Sequence, residues 1–119
     1  MSDIAEAFES LRRYGLSLPE AVEEMPWGHS ALKVRKKTFV FLNLDEQSFS
    51  LSVKLPASRD FALIFDWAEP TGYGLGRSGW VSGRFSPGDE IDLELLRRWI
   101  AESYRAMAPK KLAAMIDGD

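Results

Sequence analysis

Eight residues with strict two-residue alternation constrain this chain more than any other stretch. Residues 48–55 read Ser-Phe-Ser-Leu-Ser-Val-Lys-Leu. Because successive side chains of a strand point to opposite faces, this pattern predicts a strand with four apolar side chains on one face. Estimated from the apolar area that is removed from water, burying these four side chains stabilises the folded state by at most about 6–12 kcal/mol. The net free energy of unfolding of a small domain is only about 5–15 kcal/mol. We therefore expect the fold to be arranged around this strand.

The stretch before this strand predicts an antiparallel meander. Residues 32–35 alternate, with Leu32 and Val34 facing inward and Lys33 and Arg35 facing outward. A tight lysine-rich hairpin then leads into residues 38–44, which are apolar on both faces and are expected to form a central strand with a neighbour on each side. A turn at residues 45–47 leads into the alternating strand and completes three consecutive antiparallel strands.

Two helices are predicted before the meander. The first covers residues 3–14, with Gly15 as its C-terminal stop. A short second helix covers residues 17–25, where Ser17 and Glu20 have the spacing of a capping box. A third short helix is predicted after the meander, at residues 59–66. It is capped by Ser58 and is expected to bury Phe61, Ile64 and Phe65.

The C-terminal part predicts a loop, a strand and a long helix. Residues 67–78 contain one proline and three glycines, which favours a loop, and residues 79–85 return to the alternation of a strand. A helix begins near Asp92 and is interrupted at Pro109, because proline cannot continue the hydrogen-bond pattern, and residues 110–116 form a last short helix.

The chain length and composition suit one hydrophobic core. With 119 residues, 45% of them hydrophobic, we predict a single domain over residues 1–119. The expected fold class is α+β, with an antiparallel meander sheet and helices packed on one face. The chain has no cysteine, which excludes disulfides and cysteine nucleophiles. Its acidic start and its lack of a long apolar run predict neither a signal peptide nor a membrane span, and we expect a cytoplasmic protein.

The net charge of −3 is unevenly distributed. Residues 1–29 hold six acidic and two basic side chains, a balance of −4, whereas residues 30–59 hold six basic and two acidic ones, a balance of +4. The total argues mildly against a dedicated nucleic-acid binder, since such domains are usually basic. The distribution nevertheless predicts a strongly polar molecule.

Four short motifs resemble the bacterial MmcQ/YjbR-like family. They occur in the family's order and span nearly the whole chain. They are Pro-Trp-Gly-His at 26–29, the lysine-rich hairpin with the apolar strand after it, Gly-Trp-Val at 79–81, and Ser-Tyr-Arg at 103–105 followed by Pro-Lys-Lys at 109–111.

This resemblance implies a small cytoplasmic α+β fold, similar to frataxin-like and double-wing arrangements, with one face of its antiparallel sheet open. Members are commonly described as DNA-binding proteins because of that structural similarity. The chain departs from the family at Ser78, where members often have a histidine before the Gly-Trp pair. Any chemical role of that histidine would be missing here.

The open face is the first candidate site. If the apolar residues of the strands face the helices, the other face of the sheet carries cations, hydroxyls and one aromatic ring. These groups can contact phosphates and stack on a base. With the neighbouring hairpin and loop, the predicted nucleic-acid-binding residues are Lys33, Arg35, Lys36, Lys37, Lys54, Arg77, Trp80 and Arg84. The alternative interpretation is a solvated sheet face. So few cations predict weak, salt-dependent and largely non-specific affinity.

The aromatic, glycine-rich loop at residues 67–80 is the second candidate site. It lacks the Gly-Lys-Ser/Thr ending of a phosphate-binding P-loop and leads into a strand. It could close over an apolar small molecule, or simply pack over the sheet edge. The residues proposed to line such a pocket are Trp27, His29, Trp67, Tyr73, Ser78, Trp80, Tyr104 and Arg105.

Catalytic groups are scarce in this sequence. His29 is the only histidine, no partners for a metal or a triad are visible, and a role in fixing its turn is favoured over general-base chemistry. Tyr104 lies on the apolar helix face, where packing with a satisfied hydroxyl is favoured over catalysis. We therefore expect no enzyme, cofactor or metal. The leading hypothesis is a non-catalytic DNA-binding protein, and the alternative is a small-molecule or protein interaction module at the loop.

Overall fold

The alternating strand lies near the middle of a six-stranded antiparallel sheet. The computed structural model describes residues 3–24, 30–72 and 78–116 of the chain. The strands are β1 (Val22–Glu24), β2 (Ser30–Val34), β3 (Lys37–Leu44), β4 (Phe49–Lys54), β5 (Ala68–Pro70) and β6 (Trp80–Phe85), in the order β1-β2-β3-β4-β6-β5. The predicted meander is confirmed as β2, β3 and β4, and β3 has a neighbour on each side.

The helices are α1 (Asp3–Leu16), α2 (Arg59–Ala62), α3 (Leu93–Met107) and α4 (Lys110–Ile116). α1 and α3 pack on β3 and β4 and against each other, and one core lies between the helices and the sheet. α3 begins where the sequence predicts, because the Asp92 carboxylate accepts a hydrogen bond from the backbone N–H of Leu95 at 3.1 Å. The α+β fold with helices on one side of an antiparallel sheet is thus confirmed.

A β-bulge in β3 directs two consecutive apolar side chains into the core. Leu32 of β2 pairs with Val40, but the next residue, Lys33, pairs with Thr38. Phe39 is therefore left without a partner in β2. Phe39 and Val40 are both fully buried. The bulge thus explains why β3 has consecutive apolar residues at Phe39 and Val40, both of which face the core.

Ser103 of α3 bridges the sheet at the bulge. The regular pairing of β3 with β4 ends at Val40 and Val53. Just beyond it, the Ser103 hydroxyl donates a hydrogen bond to the carbonyl of Phe39 and accepts one from the backbone N–H of Lys54 at 2.9 Å. α3 thereby satisfies backbone groups of both strands and is anchored to this end of the sheet.

The prediction that Gly15 ends the first helix is wrong, because α1 continues to Leu16. Gly15 is instead needed for close packing. A Cβ atom at this position would lie 2.5 Å from Cδ1 of Leu32, so a side chain could be added only if the buried Leu32 side chain shifted.

The predicted helix at residues 17–25 is also wrong within the described residues. Glu20 has a φ of 60°, outside helical geometry, and β1 follows as an edge strand. Val22 pairs with Lys33 and Glu24 pairs with Ala31. The residues of β1 pair with the free edge of β2, and this pairing outweighs the local preference for a helix that the spacing of Ser17 and Glu20 indicates.

The predicted helix at residues 59–66 is shorter than expected, because α2 ends at Ala62. Ser58 makes no side-chain cap to α2, since its hydroxyl donates to Glu102 of α3 at 2.6 Å. Phe61 and Ile64 are 55% and 74% exposed, contrary to the prediction, because the single turn of α2 buries Ala62 and Ile64 lies in the turns that follow it.

The predicted loop at residues 67–78 contains the short strand β5. Its backbone continues the pairing with β6 on both sides: Arg84 N–H donates to the Trp67 carbonyl at 3.0 Å, and Thr71 N–H donates to the Trp80 carbonyl at 3.1 Å. Pro70 lies in this edge strand, where a missing N–H is tolerated. Three residues containing a proline give no recognisable strand pattern, which is why the sequence did not predict β5.

Candidate nucleic-acid interface

The face of the sheet opposite the helices, called the outer face, carries the polar side chains of β4 and β6. The hydroxyl oxygens of Ser52 and Ser82 lie 2.7 Å apart, and the Thr71 hydroxyl oxygen lies 2.9 Å from that of Ser82. The three hydroxyls thus form a hydrogen-bonded row. In the register, Lys54 pairs with Trp80 on this face. Alternation along β4 and β6 thus correctly predicts which of their side chains face away from the helices.

Trp80 lies on the predicted face but is not exposed. Its side chain is only 6% exposed, and its ring lies 5.7 Å from that of Phe41, another outer-face residue. In this conformation the indole is part of the packing and does not present a free surface on which a base could stack.

Two of the three outer-face cations have acidic neighbours. Lys33 Nζ lies 2.8 Å from Glu24 Oε1. Arg84 lies near Asp45, whose pKa is lowered mainly by backbone N–H groups of the following turn and partly by Arg84. Lys54 contacts no carboxylate within the described ranges. The outer face as such is therefore less basic than expected.

Arg35 does not lie on the sheet face, contrary to the prediction. Arg35 and Lys36 form the two-residue turn between β2 and β3, with φ values of 49° and 71°. The Arg35 guanidinium bonds the Glu20 carboxylate at 2.5 and 3.0 Å. This hydrogen bond lowers the pKa of Glu20, with a smaller contribution from Lys111. Arg35 is thus paired with Glu20, and the influence of Lys111 on the same carboxylate indicates that Lys111 lies on this side of the turn.

Five lysines from three parts of the chain lie at the same end of the sheet, called the basic end. β3 begins there and β4 ends there, and the Ser103 bridge brings the C-terminal end of α3 and the start of α4 to the same place. Their ammonium groups make no ion pair shorter than 4.0 Å with any described carboxylate. The basic end consists of Lys36, Lys37, Lys54, Lys110 and Lys111.

The opposite end of the molecule is acidic. The turn between β3 and β4 lies there, and so do the segment after β6 and the first turns of α1 and α3. Its carboxylates are Glu6, Asp45, Glu46, Asp66, Asp89, Glu90, Asp92 and Glu94. Although the net charge of the protein is only −3, its two ends therefore carry charge of opposite sign.

Lys110 and Lys111 are the cations of the basic end that the site prediction missed. In the sequence they belong to a short Pro-Lys-Lys motif that lies far from the hairpin in the chain. Their place beside the hairpin depends on the direction of α3 across the sheet, which Ser103 fixes through hydrogen bonds to residues more than 45 positions away in the chain. No local pattern indicates such a long-range interaction.

The second predicted site does not form one pocket from its described residues. The ring of Trp67 packs against Phe85 and Trp99 on the helix side of the sheet, with centroids 4.8 and 5.3 Å apart. Trp80 lies on the outer face. Ser78 is exposed. The remaining aromatic and basic candidates Trp27, His29, Tyr73 and Arg77 lie outside the described residues.

Tyr104 is a packed core residue, as predicted. Its side chain is fully buried, its ring meets that of Phe39 edge-on at 5.2 Å, and its hydroxyl donates to the Pro19 carbonyl at 2.6 Å. Burial raises the pKa of this phenol. Its neighbour Arg105 is exposed and lines a groove on the helix side instead of a pocket at the loop.

Two further properties of the described residues concern metals and membranes. In the ranges 3–24, 30–72 and 78–116, there is no group of three or more His, Cys, Asp or Glu side chains that could hold a metal ion. None of the helices in those ranges has both the length and the apolar character needed to cross a bilayer.

The fold and this charge distribution define a small α+β protein with an antiparallel sheet, helices on one side and a basic end. The sequence matches the YjbR family model over residues 16–106, well over half of the chain, and the chain therefore belongs to the YjbR family. No curated protein matches the sequence.

A solved structure supports the fold. The crystal structure of Deinococcus radiodurans protein DR2400, a DUF419 domain, is similar with a TM-score of 0.65. The match covers 82% of this chain and 75% of that one at 22% sequence identity. At this identity the likeness concerns the fold alone.

Proposed function

We propose that this protein is a non-catalytic DNA-binding protein that contacts the phosphate backbone through its basic end. The observation that supports this most directly is the grouping of five lysines from three parts of the chain at one end of the sheet, while eight carboxylates lie at the other. A phosphate backbone responds to local cations more than to net charge. The proposed DNA partner and the absence of cysteine favour a cytoplasmic location.

The arrangement supports weak binding with little sequence preference. Lysine ammonium groups are point charges that suit phosphates, and Arg35, the arginine of the hairpin turn, is already bonded to the Glu20 carboxylate. The ring of Trp80 is engaged in packing. We therefore place the DNA contact at the end of the sheet where Lys54 lies, and not over the rest of its outer face.

Fluorescence anisotropy over a salt series tests this proposal. A labelled duplex and a labelled single strand are each titrated with the protein at several salt concentrations. If all five lysines neutralise phosphates, log K for the duplex falls against log salt with a slope of about −4 to −5. Failure to bind either nucleic acid at low salt would overturn the proposal, and so would binding that does not change with salt.

A further inference from the structure

A groove of about 880 Å³ lies on the helix side of the protein. α3 forms its floor, α2 forms one wall, and the end of α1 with α4 forms the other. Its most informative lining residues are Tyr14, Phe61, Arg97, Arg98, Arg105 and Met115. We call it the helical groove.

The helical groove has an apolar rim that is costly to expose to water. Phe61 of α2 and Met115 of α4 are 55% and 62% exposed, and both line the groove from opposite walls. Between them, the floor contains Trp99 and Ala101, which are only 3% and 9% exposed. A bound apolar chain would cover the two exposed side chains and lie on this floor.

The helical groove is also cationic. Arg97 and Arg105 are spaced eight residues apart on α3, with the small residue Ala101 midway, so all three lie on one helix face. Arg97 makes only a 3.5 Å contact with the hydroxyl of Ser10 among the described residues. Its guanidinium therefore keeps most of its hydrogen-bonding capacity for a ligand.

The two carboxylates of the groove are already engaged. Glu94 bonds Arg98 at 2.8 Å within the same helix. Glu102 accepts hydrogen bonds from the backbone N–H groups of Ala57 and Ser58, at 2.9 and 3.0 Å, and from the Ser58 hydroxyl. Glu102 thus holds the segment before α2 against α3. What the groove offers to a ligand is positive charge beside apolar surface.

We propose that the helical groove binds an amphiphilic carboxylate, a small molecule with one anionic head group and an apolar chain. Arg97 would bind the carboxylate, since a guanidinium matches a carboxylate in charge and geometry. Phe61 and Met115 would cover the chain. A volume of about 880 Å³ is in the usual range of small-molecule sites, about 300–1,000 Å³. This site is independent of the five lysines of the basic end.

Sodium decanoate, used below its micelle-forming concentration, is the probe that tests this site. The full-length ¹⁵N-labelled protein is titrated and its amide chemical shifts are followed. We expect saturable shifts in α2, α3 and α4. Arg97→Gln should weaken binding about 10- to 100-fold, as expected when one charge-assisted hydrogen bond is removed. Phe61→Ser should weaken binding because less apolar surface then covers the chain.

Two matched controls make the test specific. Arg84→Gln removes one exposed cation from the outer face and should leave decanoate affinity unchanged. Decyltrimethylammonium has the same chain with the opposite charge and should not bind. Equal binding of the cationic amphiphile, equal affinity in Arg97→Gln, or shifts confined to residues outside the groove would each overturn the proposal. Circular dichroism of each variant verifies that the fold is retained.

Discussion

Lys36 has a backbone conformation that a lysine rarely adopts. Its φ is 71°, and that of Arg35 is 49°, so both residues of the hairpin turn are left-handed. Such turns favour Asn-Gly, because a Cβ in this region costs about 1–2 kcal/mol per residue. The chain nevertheless places two cations at these positions. This strain is consistent with a surface role for the hairpin.

Replacing Lys36 with glycine should stabilise the protein. Glycine relieves the left-handed strain but increases the entropy of the unfolded chain, and we expect a net gain of about 0.5–1 kcal/mol in the free energy of unfolding. Urea denaturation measures this change. Lys37→Gly is the matched control at the start of β3, where it should cost about 0.5–1 kcal/mol. A destabilised Lys36→Gly variant would show that the turn is not strained.

Elements with a strong internal pattern were predicted well from sequence. The alternation of β4 and β6 and the Asp92 cap of α3 correctly placed those elements. The errors occur where residues distant in the chain decide the structure. β1 forms because β2 offers a free edge, and Gly15 is in contact with the side chain of Leu32, which lies 17 positions further along the chain.

Ser103 should be important for the attachment of α3 to the sheet. Ser103→Ala leaves the Phe39 carbonyl and the Lys54 N–H without their partner beside the bulge. We expect a decrease of about 1–3 kcal/mol in the free energy of unfolding, measured with urea. Ser50→Ala on the outer face of β4 is the matched control and should change it by less than about 0.5 kcal/mol. Equal effects of the two substitutions would contradict this role.

The attachment of α1 to β1 should depend on pH. Arg12 bonds the Glu23 carboxylate at 2.8 and 2.7 Å, and the Ser30 hydroxyl donates to the same carboxylate. The hydrogen bond from Arg12 is the main cause of the lowered pKa of Glu23 in the folded state. The resulting stability is therefore fully present above the unfolded-state pKa of about 4.3 and is lost as pH falls through the lower folded-state pKa.

Glu23→Gln tests this dependence. At pH 7 it should destabilise the protein by about 1–3 kcal/mol, because the charge-assisted bidentate pair with Arg12 can no longer form. At about pH 3 the difference from the original protein should shrink, since the stabilisation from Glu23 decreases once the pH is below the unfolded-state pKa and approaches the lowered folded-state pKa. Urea denaturation at the two pH values measures the difference. Glu6→Gln, at an exposed position of α1, should show no such change, and a Glu23→Gln deficit that is equal at both pH values would contradict the account.

The charge distribution over the complete fold was only partly visible in the sequence. The basic balance of residues 30–59 correctly pointed to the hairpin. It could not show that Arg35 and Lys33 are paired with Glu20 and Glu24, because those acidic residues belong to a stretch predicted as a helix. Nor could it show that α3 returns to the hairpin and brings Lys110 and Lys111 beside it. The candidate site therefore lies at the end of the sheet, whereas the sequence predicted it on the outer face.

Salt-dependent binding of a labelled DNA duplex by two variants tests this location most directly. In Lys36→Ala/Lys37→Ala/Lys54→Ala, the slope of log K against log salt should become shallower by about three units, one for each phosphate that a lysine no longer neutralises. Arg84→Ala, at an outer-face position near Asp45, should leave the slope unchanged. An unchanged slope in the triple variant, or a decrease in Arg84→Ala as large as that for one lysine, would contradict DNA binding at the basic end.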